Sequence, residues 1–93
     1  WNLMACHETY PAVAAALGER VDGLSRRAAA EAAVDAVRAL ARDVQIPTRL
    51  RDVGVSRDGI PAMTDDAMKS GNVLVNPRRT TAADITALFE MAY

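Results

Sequence analysis

The sequence predicts an all-α domain with about five helical segments. Apolar residues recur at spacings of three, four and seven positions along several stretches, which is the repeat of one helix face. No alternating strand pattern is longer than the VLV at residues 73–75. Glycines and prolines stand between the periodic stretches, where helices usually end or begin.

The first helix is predicted from about His7 to Leu17, and Gly18 ends it. Pro11 is compatible with this helix because the first four backbone N–H groups have no partner within a helix. The apolar face consists of Tyr10, Val13, Ala14 and Leu17.

The second and longest helix is predicted from Arg26 to about Asp43, with Ser25 as its N-cap. The buried stripe is predicted to be Ala30, Ala33, Val37, Leu40, Ala41 and Val44. If Leu40 is part of the core, its replacement by alanine destabilises the fold by roughly 2 to 5 kcal/mol. Charged pairs on the opposite face are expected between Asp35 and Arg38 and between Arg27 and Glu31.

The middle of the chain is predicted to be a loop followed by two helical segments. Pro47 stops the second helix, and a single helical turn capped by Thr48 leaves through Gly54. Pro61 suits the first position of a further helix that runs to about Ser70. Gly71 is a natural C-terminal cap for that helix.

The last helix has the clearest start signal in the sequence. Thr81 is predicted to cap it, and Asp84, three residues on, is placed to reach back as in a capping box. The apolar face of this helix is Ile85, Leu88, Phe89 and Ala92.

Composition limits both the core and the partners. The chain has 93 residues and is 51% hydrophobic, but 19 of its residues are alanines. We therefore expect a modest core and a domain that packs against a neighbour.

A net charge of −1 argues against nucleic acid and anionic membrane surfaces. No apolar run is long enough to span a bilayer. The single cysteine, Cys6, favours a reducing, cytoplasmic location.

The residues by themselves do not indicate a catalytic centre. Cys6, His7 and Glu8 are the best local metal candidates, but adjacent side chains point in different directions. None of the five glycines has the spacing of a nucleotide-binding loop. Arg78, after a proline, is more typical of a donor that fixes a loop than of a ligand-binding group.

A series of short motifs is more specific than any one of them. Their order and spacing over essentially all 93 residues resemble the C-terminal end of the iron-containing (group III) alcohol dehydrogenases. The motifs are WNL at the start, LG at 17–18, GLS at 23–25, RALARDVQIPTRLRDVGV at 38–55, GIPAM at 59–63, DAMKSGN at 66–72 and NPRRTTAADI at 76–85.

This resemblance implies that residues 1–93 are the C-terminal portion of the helical metal-binding domain of a dehydroquinate-synthase-like, iron-dependent alcohol dehydrogenase fold. The parent enzyme would interconvert short-chain alcohols or diols with aldehydes, using Fe²⁺ (or Zn²⁺) and NAD(P), and would form a homo-oligomer. The family's metal ligands and its cofactor segment lie upstream of Trp1. We therefore expect these 93 residues to bind no metal or cofactor, to be inactive alone, and to have the rest of the parent chain as their partner. The start at Trp1 is expected to be cut and the end at Tyr93 natural.

The resemblance also suggests where this segment meets the substrate. In the family, the loop that enters the Asn-Pro-Arg motif approaches the substrate cavity. Asn72, Val73 and Leu74 are accordingly expected to line the substrate pocket. Asn76 and Arg78 are expected to fix the loop.

An alternative of a different class stays open. A self-standing, non-catalytic helical interaction module would also have an alanine-rich helix and an exposed apolar face that docks a partner helix.

Overall fold

The chain folds into α-helices joined by turns, without any strand, which confirms the all-α prediction. The computed structural model describes all 93 residues, Trp1 to Tyr93. The helices are α1 (Tyr10–Ala16), α2 (Arg26–Asp43), α3 (Ile60–Met68), α4 (Gly71–Leu74) and α5 (Ala82–Ala92). Short 3-10 helices cover Asn2–Met4, Leu50–Val53 and Arg57–Gly59. The residues form two units, Trp1–Ile46 and Pro47–Tyr93.

Helix α1 begins at Tyr10, three residues later than predicted from the sequence. A helix starting at His7 would place Pro11 at its fifth residue, where the missing N–H group costs a hydrogen bond. Starting at Tyr10 instead places Pro11 in the first turn. The residues before α1 form turns, in which the Thr9 hydroxyl donates to the carbonyl oxygen of Cys6 at 3.1 Å.

Helix α2 has the predicted bounds and the predicted cap. The Ser25 hydroxyl oxygen accepts a hydrogen bond from the backbone N–H of Ala28 at 3.2 Å. Both predicted charged pairs form on its exposed surface, Arg27 with Glu31 at 2.9 Å and Arg38 with Asp35 at 3.2 Å.

Helices α1 and α2 both end in a Schellman motif, with Gly18 and Gln45 in the left-handed residue position. In α2 the N–H of Gln45 bonds to the carbonyl oxygen of Arg42 at 3.0 Å, and that of Ile46 to Ala41 at 2.8 Å. Gln45 has a φ of 60°, the one positive φ of a non-glycine residue in the chain. The helix thus ends through a residue type that rarely takes this conformation.

The core of the first unit is built from alanines. Helix α1 packs on α2. The buried apolar residues of this unit are Ala14, Ala29, Ala30 and Ala33. Because alanine has no side chain beyond Cβ, two helices that meet through alanines approach closely, and each contact buries little apolar area.

The predicted buried stripe of α2 is wrong at Val37, Leu40 and Val44, whereas Ala41 is half-buried. Val37 and Leu40 are both 51% exposed, and Val44 is 58% exposed. Helix α1 has 7 residues and α2 has 18, which at 1.5 Å per residue gives about 10 Å against about 27 Å. The shorter helix covers only the first part of the longer one, so the periodicity indicated an apolar face but not what lies against it.

The second unit is organised by α3 and α5, which pack on each other. Ile60, at the start of α3, is 1% exposed and is the largest fully buried side chain in the chain. Pro61 lies in the first turn of α3 as predicted, although the helix ends at Met68 rather than near Ser70. The apolar face of α5 is half-buried at Ile85, Leu88 and Phe89, whereas Ala92 is exposed.

Two predicted caps in this unit are wrong, and one turn is confirmed. The 3-10 helix Leu50–Val53 has Arg49 rather than Thr48 at its N-cap, without a side-chain bond. Gly71 does not end a helix but begins α4, because Ser70 supplies a new N-cap directly before it. Gly54 does leave the 3-10 helix with a φ of 82°, as a left-handed exit requires.

Candidate functional site

The segment with the predicted pocket residues is a single turn of helix, α4, rather than an open loop. The Ser70 hydroxyl oxygen accepts a hydrogen bond from the backbone N–H of Asn72 at 3.3 Å and starts this turn. Asn72 is exposed and Val73 is half-buried. Leu74 is 86% exposed, the highest value among the large apolar residues. The turn therefore fixes the backbone and leaves two of the three predicted pocket side chains on the surface.

The side chain of Asn76 forms hydrogen bonds with residues on the other side of Pro77. Its side-chain amide donates to the carbonyl oxygen of Arg78 at 2.6 Å and to the Thr80 hydroxyl at 3.1 Å. The Thr80 hydroxyl in turn donates to the same Arg78 carbonyl at 2.8 Å. These bonds tie residues 76–80 into one small polar cluster, which is the geometry that a loop-fixing role for Asn76 requires.

Arg78 enters the cluster through its backbone. Its carbonyl oxygen accepts both the Asn76 and the Thr80 bonds. The loop-fixing prediction assigned this role to the arginine as a side-chain donor. In the structure, its carbonyl oxygen accepts two bonds of the cluster, and the positive charge of its guanidinium lowers the pKa of Asp84.

Thr81 and Asp84 form the predicted capping box at the start of α5. The N–H of Asp84 donates to the Thr81 hydroxyl oxygen at 3.2 Å, and the N–H of Thr81 donates to the Asp84 carboxylate at 2.9 Å. The Thr81 hydroxyl also donates to that carboxylate at 2.7 Å. The two Thr81 bonds, followed by the positive charge of Arg78, hold the pKa of Asp84 below its usual value of 3.8.

The local metal candidates at the other end of the chain have structural partners. Nδ1 of His7 lies 3.2 Å from the carbonyl oxygen of Met4, and the Glu8 carboxylate lies 2.8 Å from Nη1 of Arg26. No three His, Cys, Asp or Glu side chains come together anywhere in the chain. These residues therefore do not fit an iron site by themselves.

A dinucleotide site also lacks its structural element here. Such sites place a glycine-rich turn between a strand and a helix N-terminus. The chain contains no strand, so its residues do not form that phosphate cradle.

None of its helices combines the length and the apolarity that a bilayer crossing requires.

Two concave surfaces of the first unit, each larger than a third one of about 140 Å³ beside His7, were not predicted from the sequence. One is a cavity of about 380 Å³ lined by Trp1, Leu3, Glu31, Val34, Asp35 and Arg38. The other is an apolar groove of about 340 Å³ lined by Tyr10, Val13, Ala33, Val34, Val37 and Arg38. Both are lined by Val34 and Arg38 of α2, and only the groove includes residues of α1, Tyr10 and Val13.

Contacts of Arg57 at the end of α5 were also not predicted from the sequence. Nη2 of Arg57 lies 2.9 Å from the Glu90 carboxylate, and its guanidinium stacks 5.0 Å from the centre of the Tyr93 ring. Arg57 precedes α3 and is far from Glu90 in sequence, so no local spacing signals this contact.

Comparison with known proteins shows the family of the chain. The family model described as Fe-containing alcohol dehydrogenase family, C-terminal, matches residues 1–93. The chain belongs to this family, as the series of short motifs indicated.

The curated relatives are dehydrogenases and a reductase of small molecules. The 1,3-propanediol dehydrogenase of Citrobacter freundii is 40% identical over 93 residues, which are 100% of this chain and 24% of that protein. The lactaldehyde reductase of Escherichia coli (strain K12) is 44% identical over 86 residues, 92% of this chain and 22% of that protein. The NAD-dependent methanol dehydrogenase of Bacillus methanolicus is 34% identical over 92 residues, 99% of this chain and 24% of that protein.

The fold agrees with a solved member of the same group. The crystal structure of a 1,3-propanediol oxidoreductase matches with a TM-score of 0.93 and 40% identity, over 99% of this chain and 24% of that chain. The chain thus spans about a quarter of the length of the relatives that it matches.

Proposed function

We propose that the chain is the C-terminal helical part of a metal-dependent alcohol dehydrogenase that interconverts short-chain alcohols or diols with aldehydes. The match of the family model over all 93 residues carries this proposal. The relatives named for 1,3-propanediol, lactaldehyde and methanol support small alcohols and aldehydes as the substrate class. The NAD dependence stated in the name of the methanol dehydrogenase supports a nicotinamide cofactor, NAD or NADP.

The reacting groups would lie outside these 93 residues. The chain brings no three metal-binding side chains together and has no strand to carry a phosphate-binding turn. The proposal therefore assigns Fe²⁺, with Zn²⁺ as the alternative metal, and the nicotinamide cofactor to the remaining part of a longer protein. When bound, such a metal polarises the alcohol or carbonyl oxygen, and the nicotinamide exchanges a hydride with the substrate carbon. The 93 residues alone are expected to be inactive.

In this proposal, the chain contributes part of the substrate pocket. Asn72, Val73 and Leu74 line it from α4, and the Asn76 cluster holds α4 in place. The exposure of Leu74 supports this role, because an apolar side chain that is 86% exposed is available to contact a substrate or another part of the protein. The bonds from Asn76 to Arg78 and Thr80 support a fixed approach of α4 to the pocket, since they restrain the residues that follow it.

The test is an assay of the full-length protein that carries these residues. The purified protein is stripped of metal, reloaded with Fe²⁺ or Zn²⁺, and incubated with NAD⁺ or NADP⁺ and 1,3-propanediol or methanol. The reverse reaction is followed with lactaldehyde and NADH or NADPH. We expect metal-dependent formation or loss of nicotinamide absorbance at 340 nm with at least one pair.

The matched control is the 93-residue chain under the same conditions, which is expected to show no turnover. Absence of turnover by the metal-loaded, folded full-length protein with all of these substrates would contradict the proposed activity. Mass measurement of the native protein in solution tests the expected homo-oligomer, and fractionation of the source cells tests the cytoplasmic location suggested by the single cysteine.

A further inference from the structure

The exposed side chains of α4 and of the residue that ends it lie next to one another. Leu74 is 86% exposed, and Val75, the C-cap of α4, is 78% exposed. Asn72 is also exposed, whereas Val73 is half-buried. The turn therefore presents one amide and two large apolar side chains to its surroundings.

Helical geometry places Val75 beside Asn72 on the outward side of the turn. Val75 has a φ of −97° and a ψ of 3°, so it continues the turn rather than leaving it as extended chain. At about 100° per residue, its side chain points about 60° from that of Asn72, about 100° from that of Leu74 and about 160° from that of Val73. The half-buried Val73 marks the side that is turned toward its own unit. Val75 thus lies between Asn72 and Leu74 on the open side.

The backbone is held on both sides of Val75. Before it, the N–H of Val73 donates to the carbonyl oxygen of Ser70 at 3.1 Å. After it, the N–H of Asn76 donates to the carbonyl oxygen of Val73 at 3.4 Å, and the Asn76 side chain bonds to residues beyond Pro77. A valine side chain has a single, restricted torsion, χ1. The two methyl groups of Val75 therefore form a surface of nearly fixed position.

We propose that Val75 is a residue that determines substrate size, because its methyl groups contact the carbon chain of the alcohol. This inference rests on the proposed function, in which α4 lines the substrate pocket. A surface of fixed position discriminates chain lengths, since an added methylene group cannot displace it without strain. The exposed and restrained position of Val75 suits this role better than that of the half-buried Val73, which offers less surface.

The neighbours of Val75 define the substrate class that this side of the turn fits. Methyl groups suit methylene groups, because a hydroxyl placed against them would lose its hydrogen bond to water without replacement. The side-chain amide of Asn72 has both donors and an acceptor and can bond a second oxygen of the substrate. A short carbon chain with a second oxygen, as in a diol or a hydroxyaldehyde, matches both features.

Kinetics of the metal-loaded full-length protein test the size role. Val75→Ala removes two methyl groups, and Val75→Ile adds one. The measured quantity is kcat/KM for 1,5-pentanediol divided by kcat/KM for 1,3-propanediol. We expect the alanine variant to raise this ratio and the isoleucine variant to lower it, each by about tenfold, because one methylene in an apolar pocket changes discrimination by about 10- to 200-fold. Val53→Ala, at a valine that is 57% exposed in the same unit, is the matched control and should leave the ratio unchanged.

The direction of the two shifts separates a pocket contact from a general disturbance. An unchanged ratio in both Val75 variants would overturn the proposal. A shift in the same direction for the alanine and isoleucine variants would also overturn it, because a loosened turn does not depend on whether atoms are removed or added. Melting temperatures close to that of the native protein are expected for both variants, since Val75 is exposed.

A second measurement does not depend on turnover. Val75→Cys and Val53→Cys in the full-length protein are treated with iodoacetamide, with and without saturating 1,3-propanediol, and modification is followed by mass spectrometry of each peptide. We expect the diol to slow modification at position 75 and not at position 53. Protection of position 75 in a protein that oxidises none of the alcohols would support the contact while the proposed function fails. Equal modification with and without the diol at position 75 would overturn the contact even in an active enzyme.

Discussion

The hydroxyl of Thr64 in α3 lies 3.1 Å from the hydroxyl of Thr86 in α5. Thr64 is 4% exposed and is the one polar residue that is buried. The Thr86 hydroxyl donates its hydrogen to the carbonyl oxygen of Ala82 at 3.0 Å, so its oxygen accepts from Thr64. Because of this direction, loss of the Thr64 hydroxyl and loss of the Thr86 hydroxyl are expected to affect stability differently.

We expect Thr86→Val to destabilise the chain more than Thr64→Val. Loss of the Thr86 hydroxyl leaves the buried Thr64 donor unpaired, at a cost of about 1 to 3 kcal/mol, whereas removing the Thr64 donor costs about 0.5 to 1.5 kcal/mol. Urea unfolding of both variants measures the difference. Equal effects would show that Thr64 finds another acceptor in its own helix.

Removal of the Thr81 cap should weaken α5. Thr81→Ala loses the acceptor for the N–H of Asp84 and the hydroxyl bond to its carboxylate, and a lost N-cap costs about 0.5 to 2 kcal/mol. Thr81→Ser retains the hydroxyl and is the matched control. A thermal unfolding midpoint that falls equally in both variants would indicate that the methyl group matters, and not the cap.

The Asp84 carboxylate should make stability depend on acid pH. Its pKa is lowered in the folded chain by Thr81 and Arg78, so it stabilises the fold above its ordinary pKa of 3.8. That contribution is lost as the pH falls from this value through the lowered one. The difference in unfolding midpoint between the native chain and Asp84→Asn should therefore be constant near neutrality and shrink below about pH 4. If the difference in unfolding midpoint between the two proteins is the same at neutral pH and at acid pH, the Asp84 carboxylate is not its source.

Ile60 and Leu40 should respond differently to truncation in the 93-residue chain. Ile60 is 1% exposed, so Ile60→Ala is expected to cost about 2 to 5 kcal/mol. Leu40 is 51% exposed, so Leu40→Ala is expected to cost less than about 1 kcal/mol there. Denaturant unfolding measures both values, and a cost above that limit for Leu40→Ala would place Leu40 back in the core.

The pocket assignment is tested at Asn72 in the full-length protein. Its backbone N–H makes the bond to Ser70, and this bond survives a change of side chain. Asn72→Ala should therefore alter the ratio of kcat/KM values among short-chain alcohols with little change in melting temperature. Asn76→Ala, which loses the bond to the Arg78 carbonyl, should lower the melting temperature as well. Unchanged kinetics of the Asn72 variant across the alcohols would refute its place in the pocket.

Local signals in the sequence were sufficient for the helices with strong caps. Ser25 and Thr81 each lie within three residues of the groups that they bond, so their roles depend on neighbouring positions alone. Gly71 shows the limit of such signals. A glycine after a helix is a common C-cap, but Ser70 before it is also a good N-cap, and in this chain the second role prevails.

The burial of α2 could not be predicted for a different reason. The periodicity gives the face on which Leu40 lies, but its exposure depends on the length of the helix that packs there. Arg57 illustrates the same dependence on tertiary structure, because its contacts with Glu90 and Tyr93 join distant parts of the sequence. The pocket assignments of Asn72, Val73 and Leu74 came from the family resemblance, and they remain predictions.

The alanine core of the first unit also restricts which substitutions can be accepted during evolution. At Ala14 and Ala30, which have no exposed surface, almost every single substitution enlarges the side chain. Added atoms force the two helices apart, whereas substitutions in a valine-rich core could either remove or add atoms. Adaptive change in this unit is therefore expected to accumulate on the outward positions of α2, leaving the contact between the helices as its most slowly varying part.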